Sequence, residues 1–167
     1  GEVLSALRAA DSALLAVAAQ AGVDVGTEEA WQMCEAAGMP LMIFISKMDR
    51  ENADFGRALE SIQQAFGKKC AAIQVPVGAE QAFQGVVDLL QPPPNIPPSV
   101  AAEVERLRDS LLETVAETDD DLATRYLEGE EITTEVLTVA LKRGILARQI
   151  APVLVGSANI SQGIKEL

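Results

Sequence analysis

Two short stretches place chemically capable side chains directly after apolar runs. In LMIFISKMDRENADF, residues 41–55, five apolar residues run into Ser46, Lys47, Met48 and Asp49. In APVLVGSA, residues 151–158, a second run ends at Gly156, Ser157 and Ala158. An ionised carboxylate only accepts hydrogen bonds, so Asp49 can take two from the N1–H and the exocyclic amine of guanine, a donor pair that adenine lacks. Lys47 has a long apolar stem able to lie along a base plane, and the backbone N–H of Ala158 suits the guanine O6. A hydrogen bond to a charged group contributes about 1.5–3 kcal/mol, so one such contact changes base preference by an order of magnitude or more. As a bare four-residue pattern, Ser-Lys-Met-Asp fits an ordinary surface turn as well, and the spacing alone does not separate the two.

These residues do chemistry together only if the chain brings both strand ends to one edge of a sheet. In open parallel sheets ligands bind at the carboxyl ends of the strands, where loops leave the sheet. Residues 1–10, GEVLSALRAA, put Leu4, Leu7 and Ala10 near one helical face, and residues 12–19 form a short apolar run typical of a strand covered on both sides. In GVDVGTEEAWQMCEAAGMP, Thr27 is placed to cap a helix, Glu28 and Glu29 to meet the positive end of its dipole, and Gly38 and Pro40 to end it. A second buried strand follows at residues 41–45. Asp54 then caps a helix with Phe55, Leu59, Ile62 and Phe66 on one face, stopped by Gly67. This alternation predicts an α/β fold, a parallel sheet with helices on both faces.

From residue 68 the texture changes. CAAIQVPVG and AFQGVVDLL read as short strands, QPPPNIPP as a stiff extended connector, and residues 99–149 as a helical block interrupted at 117–119 and at Gly129. Residues 151–158 restore the buried-strand pattern, and SQGIKEL looks like the start of a helix. The division expected is 1–67 for the first part of the sheet domain, 68–149 for an inserted α+β subdomain, and 150–167 for the last strand and the start of the last helix.

With 167 residues and 49% hydrophobic side chains the chain can bury a real core. No apolar run approaches the roughly 20 residues of a membrane helix and no signal segment opens the chain, so a cytoplasmic location and no membrane partner are expected. Cys34 and Cys70 are too widely spaced for a zinc or redox motif and stand without any histidine, which makes them reduced, partly buried thiols. A net charge of −12 repels nucleic-acid phosphate, so no direct nucleic-acid surface is expected and a basic protein partner fits better. Trp31 and Tyr126 read as packing residues. The acidic triplet at 119–121 reads as a helix start, with no further carboxylates placed to close a metal shell.

The helix predicted from residue 99 to 117 carries Val100, Val104, Leu107, Leu111 and Val115 on one face. Glu105, Asp109, Glu113 and Glu117 form an i, i+4 row along it, partly relieved by Arg106 and Arg108. Each like-charge neighbour costs a helix about 0.2–0.5 kcal/mol, so stability alone does not favour the row. It is either a solvated face or a docking surface for a basic protein.

ISKMDRENADFGRALESIQQAFG, AFQGVVDLL, RYLEGEEIT and PVLVGSANISQG follow one another in the order found in the guanine-nucleotide domain of the elongation factor G family of ribosomal translocases. The chain resembles that domain over nearly its whole length, including the inserted subdomain. The resemblance implies a partial P-loop GTPase-type sheet, with Lys47 and Asp49 in the base-recognition motif Asn-Lys-x-Asp and Ser157 and Ala158 in the Ser-Ala motif. It implies that Lys47 stacks on the base, Asp49 reads its edge, and the Ser-Ala loop supports Asp49 and contacts O6. Ser46 stands where the family usually has Asn, and its short hydroxyl offers less reach than an amide. Ala18 stands where an acidic residue is common.

The phosphate loop G-x-x-x-x-G-K-[ST] and the Asp-x-x-Gly segment are not in this sequence. Judged against the family, the chain begins just after the second switch and ends as the last helix starts. No catalytic residue is therefore expected in it, and GTP or GDP with Mg2+ is expected to bind the intact protein but not this chain tightly. The strand at residues 13–17 is expected to have an unpaired outer edge that invites self-association. The partners implied are the ribosome and its stalk protein, the latter at Glu105, Asp109, Glu113 and Glu117. A diverged paralogue with altered nucleotide use is the alternative that Ser46 raises.

Overall fold

The computed structural model describes residues 2–165 and 167, with side chains from residue 5 onward. Along the chain lie α1 (Glu2–Leu7), β1 (Ala13–Ala18), α2 (Val25–Ala36), β2 (Leu41–Ser46), α3 (Phe55–Phe66), β3 (Cys70–Ala72), β4 (Gln74–Val77), β5 (Gly85–Asp88), α4 (Ala101–Ala116), α5 (Asp120–Leu127), α6 (Thr134–Leu146) and β6 (Ala151–Val155). The Leu4 side chain, assigned above to one face of α1, lies outside the described residues.

β1, β2, β6 and β3 hydrogen-bond in that order as a parallel sheet flanked by helices. The most apolar runs take the central places: β6 is buried at every residue, and Ile43 and Ile45 of β2 are fully buried. Such continuous runs suit strands covered on both faces. β1 departs from that expectation. Val17 is buried, but Leu14 is 49% exposed and Ala16 is also exposed. As the outer strand β1 pairs only with β2, and the two-residue side-chain period turns Leu14 and Ala16 to a face that no described helix covers.

α3 forms as its sequence dictates. Asp54 accepts the Arg57 N–H at 2.9 Å, Phe55, Ala58, Leu59 and Ile62 are buried, and Gly67 at φ 92° ends the helix. In α2 the cap is Asp24 rather than Thr27. Its Oδ1 accepts both the N–H and the hydroxyl of Thr27, at 2.8 and 2.7 Å, and hydrogen bonding to Thr27 holds the carboxyl below its ordinary pKa. Thr27 lies one turn too far along, where its own amide needs an acceptor. Trp31 of α2 and Phe66 of α3 stack at 4.2 Å, with the Lys69 ammonium 4.9 Å over the indole. Lys69 also bonds Glu35 at 2.7 Å and thereby lowers the Glu35 pKa.

β3 changes the expected division at residue 68. It is the outer strand of the main sheet, pairing Cys70 with Ala151, so the excursion from the sheet begins after it. The excursion holds the antiparallel β4–β5 hairpin and the three helices α4, α5 and α6. Val104, Leu107, Leu111 and Val115 bury the inner face of α4, which packs on β3, α5 and α6. Asp119 caps α5 through the N–H groups of Asp121 and Leu122 and pairs with Arg143 at 3.0 Å. Cys34 and Cys70 are free and buried, and burial pushes the Cys70 thiol up to about 12. After β6 the segment expected to start a helix instead forms turns, bends and a bridge between Ser157 and Gln162, up to Lys165. Among the described residues no helix is long and apolar enough to cross a membrane.

Candidate functional site

β2 and β6 are parallel neighbours, with Ile45 beside Val155, so the loops that follow them leave the same end of the sheet together. The first loop begins at Lys47, which is exposed and adopts φ 63°. A non-glycine residue in this left-handed region is uncommon and persists where its surroundings over-determine it. The surroundings are backbone hydrogen bonds: the buried Met48 donates its N–H to Gly156 O at 3.2 Å, and its carbonyl accepts the Glu80 N–H at 2.8 Å.

The second loop is closed by reciprocal bonds between Ser157 and Gln162, at 2.9 and 3.1 Å. Glycine is required at both of its shoulders. A Cβ on Gly156 would lie 2.5 Å from Gln162 O, and one on Gly163, at φ 74°, would lie 2.3 Å from Val155 O.

The loops meet at Asp49. The buried Ser157 hydroxyl donates to Asp49 Oδ1 at 2.5 Å, and Asn159 Nδ2 donates to Oδ2 at 3.1 Å. Arg50 lies farther off, at 3.7 Å from Oδ2. The Ser157 hydrogen bond is the main cause that holds the Asp49 carboxyl below its ordinary pKa, with desolvation opposing it and Asn159 and Arg50 assisting. Asp49 is therefore an ionised acceptor at neutral pH. A carboxylate has about four lone-pair sites, and two hydrogen-bond donors leave room for two more. Ala158 is exposed, and its N–H has no acceptor among the described residues. The two loops thus present two acceptor sites on Asp49, a free N–H at Ala158, and the exposed Lys47 at the start of the first loop.

Ser46 does not join the cluster. It is half-buried at the end of β2 and donates its hydroxyl to Val17 O of β1 at 3.3 Å. Glu105, Asp109 and Glu113 are exposed on α4 and Glu117 at its C-terminal cap, in a separate part of the fold. Arg106 pairs with Glu103, and Arg108 bonds the Leu89 and Leu90 carbonyls, so neither relieves the row as its sequence neighbourhood suggests. Asn159 and Glu80 are additions that the sequence reading does not contain. Asn159 follows the Ser-Ala pair directly and carries a usable signal, whereas Glu80 lies 31 positions beyond Asp49 and gives none.

The family model described as elongation factor Tu GTP binding domain matches residues 1–167. A crystal structure of a protein from Thermus thermophilus superposes with a TM-score of 0.87 at 33% identity, covering 99% of this chain and 26% of that one. The chain thus spans only a minor part of the length of the protein it matches.

Proposed function

The chain belongs to the elongation factor Tu GTP-binding domain family, and from that premise we propose that Lys47, Asp49, Ser157 and Ala158 are its guanine-reading residues. GTP binding is the family's activity. The finer proposal is a domain of an elongation factor G-like protein that acts with the ribosome in translocation, supported by the order of the four matched stretches and by the excursion between β3 and β6. The observation that carries the base assignment is the Asp49 carboxylate, fixed by Ser157 and Asn159 next to an unpartnered Ala158 N–H.

In this reading Lys47 lies along the base, Asp49 accepts its two edge donors, and Ala158 donates to O6. Bound Mg2+ with the nucleotide's phosphates would supply charge neutralisation during phosphoryl transfer. This chain has no phosphate-loop sequence to hold them, so by itself it is expected neither to hydrolyse GTP nor to hold GDP tightly.

Asp49→Asn in the full-length protein tests the assignment. An amide offers one acceptor and two donors, which matches the N1–H and C2 carbonyl of xanthine rather than the two donors of guanine. GDP affinity should fall by roughly tenfold or more and xanthosine diphosphate should become the better ligand, measured by calorimetry. Unchanged preference for GDP would remove Asp49 from the site.

A second reading concerns α4. Its acidic row has no ion pair among the described residues and is presented to solvent, which supports docking of a basic surface, proposed to be the ribosomal stalk protein. Ser46, turned toward β1, supports the alternative that nucleotide affinity is altered in this branch of the family.

A further inference from the structure

The β4–β5 hairpin touches the first loop of the candidate base site and the end of β6 that leads into the second, although it belongs to the excursion rather than to the strands that carry them. Glu80 stands in the turn of this hairpin at φ 55°, a left-handed conformation that is costly for glutamate. The turn is tightly determined: a Cβ on Gly78, at φ 76°, would lie 2.1 Å from Ala82 O. From that position Glu80 makes two bonds to one loop. Its N–H donates to Met48 O at 2.8 Å, and its Oε1 accepts the Asn52 N–H at 2.7 Å. These contacts bracket Asp49, because Met48 precedes it and Asn52 lies three residues beyond. At the base of the hairpin, Gln74 is 3% exposed and accepts the Val155 N–H on Oε1 at 3.1 Å. Val155 is the residue before Gly156, where the second loop starts. One hairpin therefore fixes backbone on both sides of the Asp49–Ser157 bond.

We propose that Glu80 is a positioning residue for guanine recognition, assisted by Gln74, so that the hairpin sets the alignment of Asp49 with the base edge. The proposal rests on the guanine reading given above. Glu80 reaches no base itself. It acts by holding the loop that extends from Lys47 to Asn52, and a loop freed at Asn52 would present Asp49 in several orientations. Because a carboxylate reads the guanine amine only when both partners are aligned, loss of the clamp should lower discrimination more than it lowers stability.

The test compares affinities for GDP and for inosine diphosphate, which lacks the exocyclic amine, in the full-length protein. Asp49→Ala should abolish the preference for GDP, and if it does not, the base reading itself fails and this proposal with it. With that established, Glu80→Ala, which keeps the backbone bond to Met48 but removes the side-chain acceptor for Asn52, should cut the GDP-to-inosine-diphosphate preference roughly fivefold, as expected for loss of one hydrogen bond. Glu80→Gln, which keeps an Oε1 acceptor, should retain most of the preference. Glu80 is exposed, so truncation leaves the core intact, and Glu80→Gly serves as the second variant because it relieves the backbone strain yet still lacks the acceptor. Wild-type discrimination in both Glu80→Ala and Glu80→Gly, alongside a collapsed preference in Asp49→Ala, would overturn the positioning role.

Discussion

Ser157 is the residue on which the charge state of Asp49 depends most. Its hydroxyl hydrogen bond favours the ionised carboxyl, and desolvation works against it. A depressed carboxyl pKa contributes stability that is present above the unfolded-state pKa and lost as pH falls through the folded-state value. Ser157→Ala removes the largest favourable cause, so the Asp49 pKa should rise and the associated stability should be lost at a higher pH. Carboxyl NMR of labelled Asp49 measures this directly, and a titration midpoint that does not move upward would contradict the geometry. Lys47, Asp49, Ser157 and Ala158 are legible in the sequence because each lies within two short segments at strand ends. Asn159 and Glu80 are not, because a side chain's partner across two loops depends on backbone turns, here Lys47 and Asn52 at φ 63° and Glu80 and Ser161 at φ 55°, that composition does not reveal.

At the scale of the element, α4 carries the clearest conflict between stability and another demand. Three consecutive like-charge neighbours run from Glu105 to Glu117, and no arginine of the helix offsets them. Replacing Glu105, Asp109 and Glu113 by Gln removes all three pairs and should therefore stabilise the fold by about 0.6–1.5 kcal/mol, seen as a raised denaturation midpoint. If the row docks a basic partner, the same protein should lose salt-sensitive binding to the stalk protein. Stabilisation without any loss of binding would identify the row as a solvated face. α3 is readable since cap, stripe and stop agree, with Asp54, the buried Phe55, Leu59 and Ile62, and Gly67; α4 has no side-chain cap at Val100 and is readable from its stripe alone. Two local rules compete in α2, where Asp24 and Thr27 both suit a cap and only the turn geometry selects Asp24. β3 reads as part of the excursion because three buried residues, Cys70, Ala71 and Ala72, show an apolar strand but not the strand it pairs with.

The whole molecule joins a well-covered sheet centre to one bare flank. β6 and the middle of β2 are buried, and β3 is covered by α3 and α4, whereas β1 presents its outer edge and Leu14. An outer strand leaves backbone N–H and C=O groups that another strand can pair, and an apolar side chain beside them lowers the cost of bringing two such edges together. Self-association of the 167-residue chain through β1 is accordingly proposed, with concentration as its control variable. The high negative charge opposes association at low ionic strength and does so less as salt screens it. Light scattering should therefore show a mass that rises with both concentration and salt. Leu14→Lys places a charge on the exposed face of β1 without disturbing the buried Val17, and it should hold the chain monomeric across the same range. A wild-type chain that stays monomeric at high concentration and high salt, or a Leu14→Lys chain that associates equally well, would show that the β1 edge does not mediate self-association.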